Sequence, residues 1–518
     1  MGAVTAVSRL VGFLRVLVVA GVLGTTFLGN AFQSANSLSN ILFELLAAGA
    51  LSAVLVPTFV SLIDADDQEG AEEVAGGVLF VALCGLGVVT VVGVLAAPQL
   101  ARLLTLGVPA AVAADQRDLV TYLLRFFLPQ VLLYAAGTIA TAALYAKRRF
   151  AITAAAPIGN TVVMVGALVA FRAVAGPDPG LDLDATERAL LAVAGTGGVV
   201  AFVGILLVAC RSAGFRLRPR HPRGDPRVGS ALRHSAWGAV LHTGAGALLG
   251  AAVVAGSGVE GAVVAYQVAW VFFLAPYGIL AQPIHTAILP ELVREAADPA
   301  RFAGSVRWAV ERISLLVLPV SAGMAALAGP GMRLVAFGET SAEGADLLAA
   351  ALVSLAAGLL PYSVFLLLAR VSYALGDSRT PGLVSLGAAA AGMAVMALGP
   401  ILDAGATSRV LLLGLGHSAA YLIGTVVLGV RLRRRIGHRL WPATTHRVAV
   451  PAIAGGAAAW LAQRSITAGS GRAGDLLASL AGGVTGLVVV VAGYRVLRAH
   501  GSLRRRVTST MPLEPEAP

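Results

Sequence analysis

Apolar runs long enough to cross a bilayer recur along the whole chain, and they restrict its fold more than any motif does. An α-helix rises about 1.5 Å per residue, so about 20 apolar residues cross a hydrocarbon core about 30 Å thick. Of the 518 residues, 57% are hydrophobic and only 13% are charged, which excludes a set of soluble domains. The pattern predicts an all-α polytopic membrane protein with about fourteen transmembrane helices. They lie near residues 4–27, 32–63, 73–97, 119–146, 152–174, 189–210, 235–256, 262–292, 313–327, 347–375, 383–402, 410–432, 448–466 and 475–497.

The distribution of basic residues predicts the orientation of these helices. The net charge is +11, and most of the positive residues fall in alternate loops. The basic loops comprise 147–149, 211–233, 294–312 and 431–439. Because cytoplasmic loops carry an excess of Lys and Arg, we predict a multi-pass protein of the cytoplasmic membrane with both termini in the cytoplasm. Membrane topology explains the charge, so no nucleic-acid partner is predicted.

The two halves of the chain resemble each other. At an offset of 232, Phe-Leu-Pro at 127–129 falls on Leu-Leu-Pro at 359–361, and Lys147 falls on Arg379. Internal repeats of this kind are common in secondary transporters. We predict two pseudo-symmetric six-helix lobes and two C-terminal helices. The predicted boundaries are 1–210 for the first lobe, 211–234 for a basic cytoplasmic linker, 235–432 for the second lobe, 433–497 for the last two helices and 498–518 for a partly disordered tail.

Signals for catalysis are missing from the sequence. There is no Walker-type phosphate loop, HExxH or nucleophile elbow. Cys84 and Cys210 both lie in predicted apolar helices, which argues against a disulfide framework and a cysteine metal site. We therefore predict neither an enzyme nor a bound cofactor or metal. Transport by such a chain would draw on an ion gradient or the membrane potential.

Two arginines interrupt the first apolar run. Arg9 and Arg15 are six residues apart, about 9 Å along a helix and about 120° around it. They share a face only if the helix bends, and Gly12 lies midway between them. Arginine's planar fork suits a phosphate or pyrophosphate, which is the functional interpretation. The alternative is that Arg9 reaches to the lipid headgroups.

The second predicted helix carries a polar stripe. Gln33, Asn36, Asn40 and Glu44 follow steps of three, four and four, which place them on one helical face. Ionisable groups in a membrane normally face a protein interior or a wet cavity. Glu44 could pair with an arginine, bind a coupling ion or proton, or orient a sugar, and the amides could bond neighbouring helices. We predict a substrate site formed by Arg9, Arg15, Asn36, Asn40 and Glu44.

Four stretches carry a family resemblance: the string SRLVGFLR at 8–15, and 38–57, 144–160 and 275–290. They resemble the lipid II flippases of the MurJ/MviN family, within the multidrug and oligosaccharidyl-lipid exporter superfamily, and the first of them resembles the start of these flippases. The resemblance implies two six-helix lobes in a V around a central cavity. It also implies alternating access that moves an undecaprenyl-pyrophosphate-linked peptidoglycan precursor, lipid II, with Arg9 and Arg15 at two cavity arginines of the family.

The chain departs from the family pattern at four positions. The family has an acid where this chain has Val16 and another where it has Asn30. The family also has cavity arginines at the positions where this chain has Phe43 and Trp270-Val271, so two of the usual four cationic contacts are missing. Besides a lipid II flippase, the alternatives are a flippase or antiporter for another lipid-linked glycan or small molecule, or a non-transporting scaffold for envelope assembly. The expected partners are a lipid-linked pyrophosphate glycan, membrane lipids and cell-wall synthesis proteins.

Overall fold

A computed structural model describes residues 2–47, 50–222, 225–442, 444–466 and 471–499. Throughout these residues the regular structure is helical. A π-helical turn covers Tyr277–Ala281, between the eleventh and twelfth α-helices. The α-helices are α1 (Gly2–Leu23), α2 (Phe27–Ala47), α3 (Ala50–Asp64), α4 (Gln68–Leu95), α5 (Ala97–Leu104), α6 (Ala110–Phe127), α7 (Gln130–Ala146), α8 (Phe150–Ala175), α9 (Ala185–Ser212), α10 (Pro226–Gly256), α11 (Ala262–Pro276), α12 (Gln282–Arg294), α13 (Pro299–Val335), α14 (Ala342–Ala356), α15 (Leu359–Ala374), α16 (Arg379–Ile401), α17 (Ala406–Ile436), α18 (Thr444–Ile466) and α19 (Gly471–Ala499).

The structure confirms an all-α, multi-pass membrane protein. Every predicted apolar segment falls on one or two of these helices. Among the described residues, nine helical spans are long and apolar enough to cross a membrane, and α14 and α15, which meet at 46°, make a tenth if they are counted together. The count of fourteen stays a prediction.

The same chain path recurs in the two halves. α6 breaks from α7 after Phe127, and α14 breaks from α15 after Ala356. The following turns match as well, because Arg149 N–H donates to Leu144 O and Asp377 N–H donates to Ser372 O. Gly376 and Asp377 thus occupy the positions of Arg148 and Arg149, an offset of 228 rather than 232. Gly376 (φ +75°) and Arg148 (φ +58°) are both left-handed, as a helix-ending turn requires.

Three clusters of buried apolar side chains divide the helices into two halves. Apart from Ala20, the largest buried apolar cluster draws its members from residues 241–440. The second cluster takes all but Val253 and Val263 from residues 19–194, and a third takes all but Val228 from residues 55–215. We call α1–α9 the N-terminal half and α10–α17 the C-terminal half. The domain boundaries given above remain predictions.

The segment between the halves becomes helical earlier than expected. α10 begins at Pro226, nine residues before the predicted start at 235. The Asp225 carboxylate caps this helix by accepting a hydrogen bond from Arg227 N–H at 2.8 Å. The hydrogen bond from the Arg227 side chain is the main cause that lowers the pKa of Asp225, so this cap stays charged at neutral pH. Of the predicted tail, residues 500–518 lie outside the described residues.

Close helix contacts at glycine hold the C-terminal half together, and they give a first testable prediction. A Cβ at Gly392 of α16 would lie 2.5 Å from Gly416 O of α17. We expect Gly392→Val to lower the thermal transition of the detergent-purified protein, since such overpacking costs about 1–3 kcal/mol. Gly387→Val is the matched control on α16, because no heavy atom lies within 4 Å of its Cβ position. Equal shifts for both variants would contradict this account of the contact.

Candidate functional site

The two arginines of α1 face different walls. α1 runs as one helix from Gly2 to Leu23, through Gly12. Arg9 is exposed and reaches the C-terminal half, donating to Gly278 O at 3.4 Å and Gln282 Oε1 at 3.5 Å. Both contacts are long, which leaves the guanidinium free to exchange them for a ligand.

Arg15 turns toward the N-terminal half. It is partly exposed and interacts electrostatically with Tyr134 of α7. Within the described part of the chain, no carboxylate pairs with Arg15 and no hydrogen bond satisfies its guanidinium. An unpaired charge in a transmembrane helix is costly, and such residues usually mark a substrate or ion pathway.

The polar stripe of α2 runs along the face that meets the C-terminal half. Gln33 is buried, Asn36 and Asn40 are partly exposed, and Glu44 is exposed. Ser37 lies on the same face and fixes it, because Gln267 Nε2 of α11 donates to Ser37 Oγ at 2.6 Å. The predicted amides and Glu44 thus line one face between the halves. The side chain of Phe43, where the resemblance places an arginine, lies outside the described residues.

Asn30 joins the halves at the start of α2, in place of the acid that the resemblance implies. Its Nδ2 donates to Val259 O at 2.8 Å, and its Oδ1 accepts from Val263 N–H at 3.1 Å. An amide carries both a donor and an acceptor, whereas an ionised aspartate only accepts, so an ionised aspartate could not make both bonds. The departure therefore fits its surroundings.

An aromatic wall replaces the cation that the resemblance implies on α11. Trp270 lies 4.5 Å from His417 and 5.0 Å from Phe273, measured between ring centroids. Tyr362 continues the wall, 4.8 Å from Tyr277 and 4.7 Å from Tyr421. Sequence analysis missed this cluster, because its members come from α11, α15, α17 and the π-helical turn. No sequence spacing connects them.

Arg370 of α15 is a further cation that sequence analysis did not select. It donates to Nδ1 of the fully buried His285 at 2.7 Å. No carboxylate pairs with it among the residues that the structure describes. His285 follows Gln282, the partner of Arg9, by one turn of α12. α12 therefore carries contacts to two unpaired arginines.

The described residues contain no group of three metal-ligating side chains in position to hold a metal ion. Cys84 and Cys210 are free thiols. The site is therefore built from guanidinium, amide, carboxylate and aromatic groups, which can bind and orient a charged, polar ligand.

Comparison with known proteins places this arrangement in a family. The family model described as "Lipid II flippase MurJ" matches residues 19–481. The chain belongs to the MurJ family of lipid II flippases. A probable lipid II flippase MurJ from Rhizobium tropici is 28% identical over 504 residues, covering 95% of this chain and 91% of the relative. A probable MurJ from Vibrio cholerae is 26% identical, covering 74% and 73%.

Solved structures agree on the fold. A lipid II flippase MurJ in an inward closed conformation has a TM-score of 0.75 at 15% identity, covering 96% of this chain and 99% of that one. An inward-facing multidrug resistance MATE family transporter of the MOP superfamily has a TM-score of 0.65 at 15% identity, covering 83% and 94%. At these identities the likeness establishes the fold alone. The MurJ fold thus extends over almost the whole chain.

Proposed function

We propose that this protein moves lipid II, an undecaprenyl-pyrophosphate-linked peptidoglycan precursor, across the cytoplasmic membrane. The observation that carries the proposal is the MurJ family match over residues 19–481, which includes the polar stripe of α2. Transport, rather than chemical conversion, fits a site that holds charged and amide groups in transmembrane helices. Both termini are proposed to lie in the cytoplasm, because the basic loops then face inward.

The pyrophosphate is proposed to bind between Arg9 and Arg15. Arg15 is unpaired within the described residues, and Arg9 holds only long contacts. Each can offer a planar fork to phosphate oxygens. Asn36, Asn40 and Glu44 continue along α2 and would orient the sugar or peptide. Membrane potential could contribute, since moving one charge through 100 mV is worth about 2.3 kcal/mol.

Alternating access is proposed from the uneven contacts between the halves. At the end where α1 finishes, Glu339 pairs with Arg172 at 2.7 Å, and Glu339 N–H donates to Gly21 O at 2.9 Å. Asn30 adds its two bonds at the same end. Near the start of α1, Arg9 makes only its two long contacts with the C-terminal half. These contacts at the end of α1 support a state that is closed on the outer side, with substrate entering from the inner side.

Two assays test the proposed function together. In vesicles containing the purified protein, we expect radiolabelled lipid II to become accessible to a hydrolase added outside. In cells depleted of their own flippase, the gene should restore growth. Arg294→Ala is the control, because Arg294 is exposed and makes no ion pair with the described residues. A folded protein that neither moves lipid II nor restores growth would contradict the proposal. Restored growth would contradict the scaffold alternative, whereas retrieval of a cell-wall synthesis protein without any transport would favour it.

A further inference from the structure

Three rings of the aromatic wall are accessible. Trp270, Tyr277 and Tyr362 are partly exposed, whereas Tyr266 and Phe273 behind them are buried. Tyr266 is hydrogen-bonded to His417, so its hydroxyl is already satisfied. The Tyr362 ring stands at 78° to Tyr277 and at 90° to Tyr421. These edge-to-face contacts hold the exposed rings in fixed orientations.

Glu44 lies at the depth of this wall. α2 and α11 run in the same direction, because Asn30 meets Val263 at their starts and Ser37 meets Gln267 further along. Glu44 is seven residues beyond Ser37, about 10 Å along α2, on the same helical face. Tyr277 is ten residues beyond Gln267, and Trp270 is only three. Glu44 therefore falls between the levels of Trp270 and Tyr277.

The positions of two tyrosines agree with this depth. Tyr362 and Tyr421, the two central rings of the wall, lie within electrostatic range of Glu44. Both belong to the C-terminal half, so the carboxylate faces across the boundary between the halves. Tyr and Trp rings offer negative π-faces, and together with a carboxylate they attract a cation from two sides.

No arginine neutralises Glu44 in the part of the chain that the structure describes. Arg9 turns to Gly278 and Gln282, and Arg15 turns to Tyr134. Because Glu44 is exposed, its carboxylate is open to a ligand that supplies a positive charge. Asn40 and Asn36, about one and two turns away from Glu44, are neutral and supply no positive charge.

We propose that Glu44 and the exposed rings of Trp270, Tyr277 and Tyr362 bind an alkylammonium group. Resting on the proposed function, we assign this group to an amine-bearing side chain in the peptide of the lipid-linked substrate. The pyrophosphate would sit at the arginines of α1 while the peptide amine sits at the wall. A free organic cation offers the same chemistry, and the experiment separates the two sources.

Binding to the full-length protein in nanodiscs tests the proposal with three probes. The first is a polyprenyl-pyrophosphate disaccharide-pentapeptide with a free lysine amine, the second is its Nε-acetylated form, and the third is tetraethylammonium. We expect the free amine to bind about tenfold more tightly than the acetylated form, as expected for a partly desolvated cation on an aromatic face. Glu44→Gln should reduce that ratio to less than about twofold.

Control variants and outcomes separate the site from the proposed function. Glu311→Gln on α13 should leave the ratio unchanged, since Glu311 makes no ion pair with the described residues and lies on another helix. Tyr362→Phe should preserve the ratio, because the ring remains.

Equal binding of both lipids to the unmodified protein would overturn the inference and leave flipping intact. If neither lipid binds, the proposed function fails. Tetraethylammonium binding that Glu44→Gln abolishes would then still support the site, and its absence would overturn it.

Discussion

Arg15→Ala is expected to slow lipid II transport by about 10- to 100-fold. A charge-assisted hydrogen bond contributes about 1.5–3 kcal/mol. No carboxylate among the described residues competes with the pyrophosphate for the Arg15 guanidinium. The transport rate of Arg15→Lys should fall between those of the unmodified protein and Arg15→Ala, because lysine keeps the charge but loses the planar fork. The measurement is the initial rate of lipid II translocation in vesicles at equal amounts of folded protein.

Thermal stability separates a transport role for Arg15 from a structural one. Removing an unpaired charge from a transmembrane helix relieves a desolvation cost, so Arg15→Ala should melt at the same temperature or higher. Arg9→Ala should have a smaller effect on transport, because Arg9 is exposed and held only by contacts of 3.4 and 3.5 Å. A lower melting temperature with an unchanged rate per folded molecule would show that Arg15 serves structure instead.

Gly338→Val is expected to separate the halves at the outer end. Gly338 has φ +62°, and its Cβ position lies 2.1 Å from Gly21 O. A left-handed backbone costs a non-glycine residue about 1–2 kcal/mol, and the steric overlap adds about 1–3 kcal/mol. The loop also holds Glu339 N–H against Gly21 O and Thr340 Oγ1 against Ala20 O at 3.1 Å. Losing these contacts should open that end.

Thiol labelling measures this opening. In a background of Cys84→Ser and Cys210→Ala, Asn36→Cys reports access to the face between the halves. We expect Gly338→Val to raise its labelling by an impermeant maleimide from the outer side several-fold and to slow transport. Gly331→Val is the control near the same end of α13, because no heavy atom lies within 4 Å of its Cβ position. Unchanged labelling with a lower melting temperature would limit Gly338 to a role in folding.

Local sequence pattern was sufficient for the helices but not for their breaks. Apolar runs predicted a segment on each described helix except α5, of which they reached only Ala97, because a lipid-exposed backbone must satisfy its hydrogen bonds within the helix. The divisions between α6 and α7 and between α14 and α15 were absent from the prediction, since apolar residues continue across both breaks. The repeat was recognised at an offset of 232, whereas the turns align at 228. Similar apolar residues allow such a slip.

Side-chain partners depended on contacts between distant segments. The spacing of Arg9 and Arg15 left open whether they share a face, and in the structure Arg9 contacts Gln282 while Arg15 lies near Tyr134. The stripe of α2 could be read directly, since its members lie within one helix. The aromatic wall could not be, because Trp270 meets Tyr362 and His417 only through the packing of three helices.

The π-helical turn between α11 and α12 determines which side chains of α12 face the arginines. Gln282 N–H donates to Tyr277 O, five residues back, so the turn holds one residue more than an α-helix would. One extra residue rotates everything after it by about 100°. That rotation lets α12 present Gln282 to Arg9 and His285 to Arg370 at once. A chain one residue shorter here would keep the same hydropathy but turn both side chains away from the arginines. The length of this turn, which amino-acid composition does not reveal, therefore gives one helix contacts with both Arg9 and Arg370.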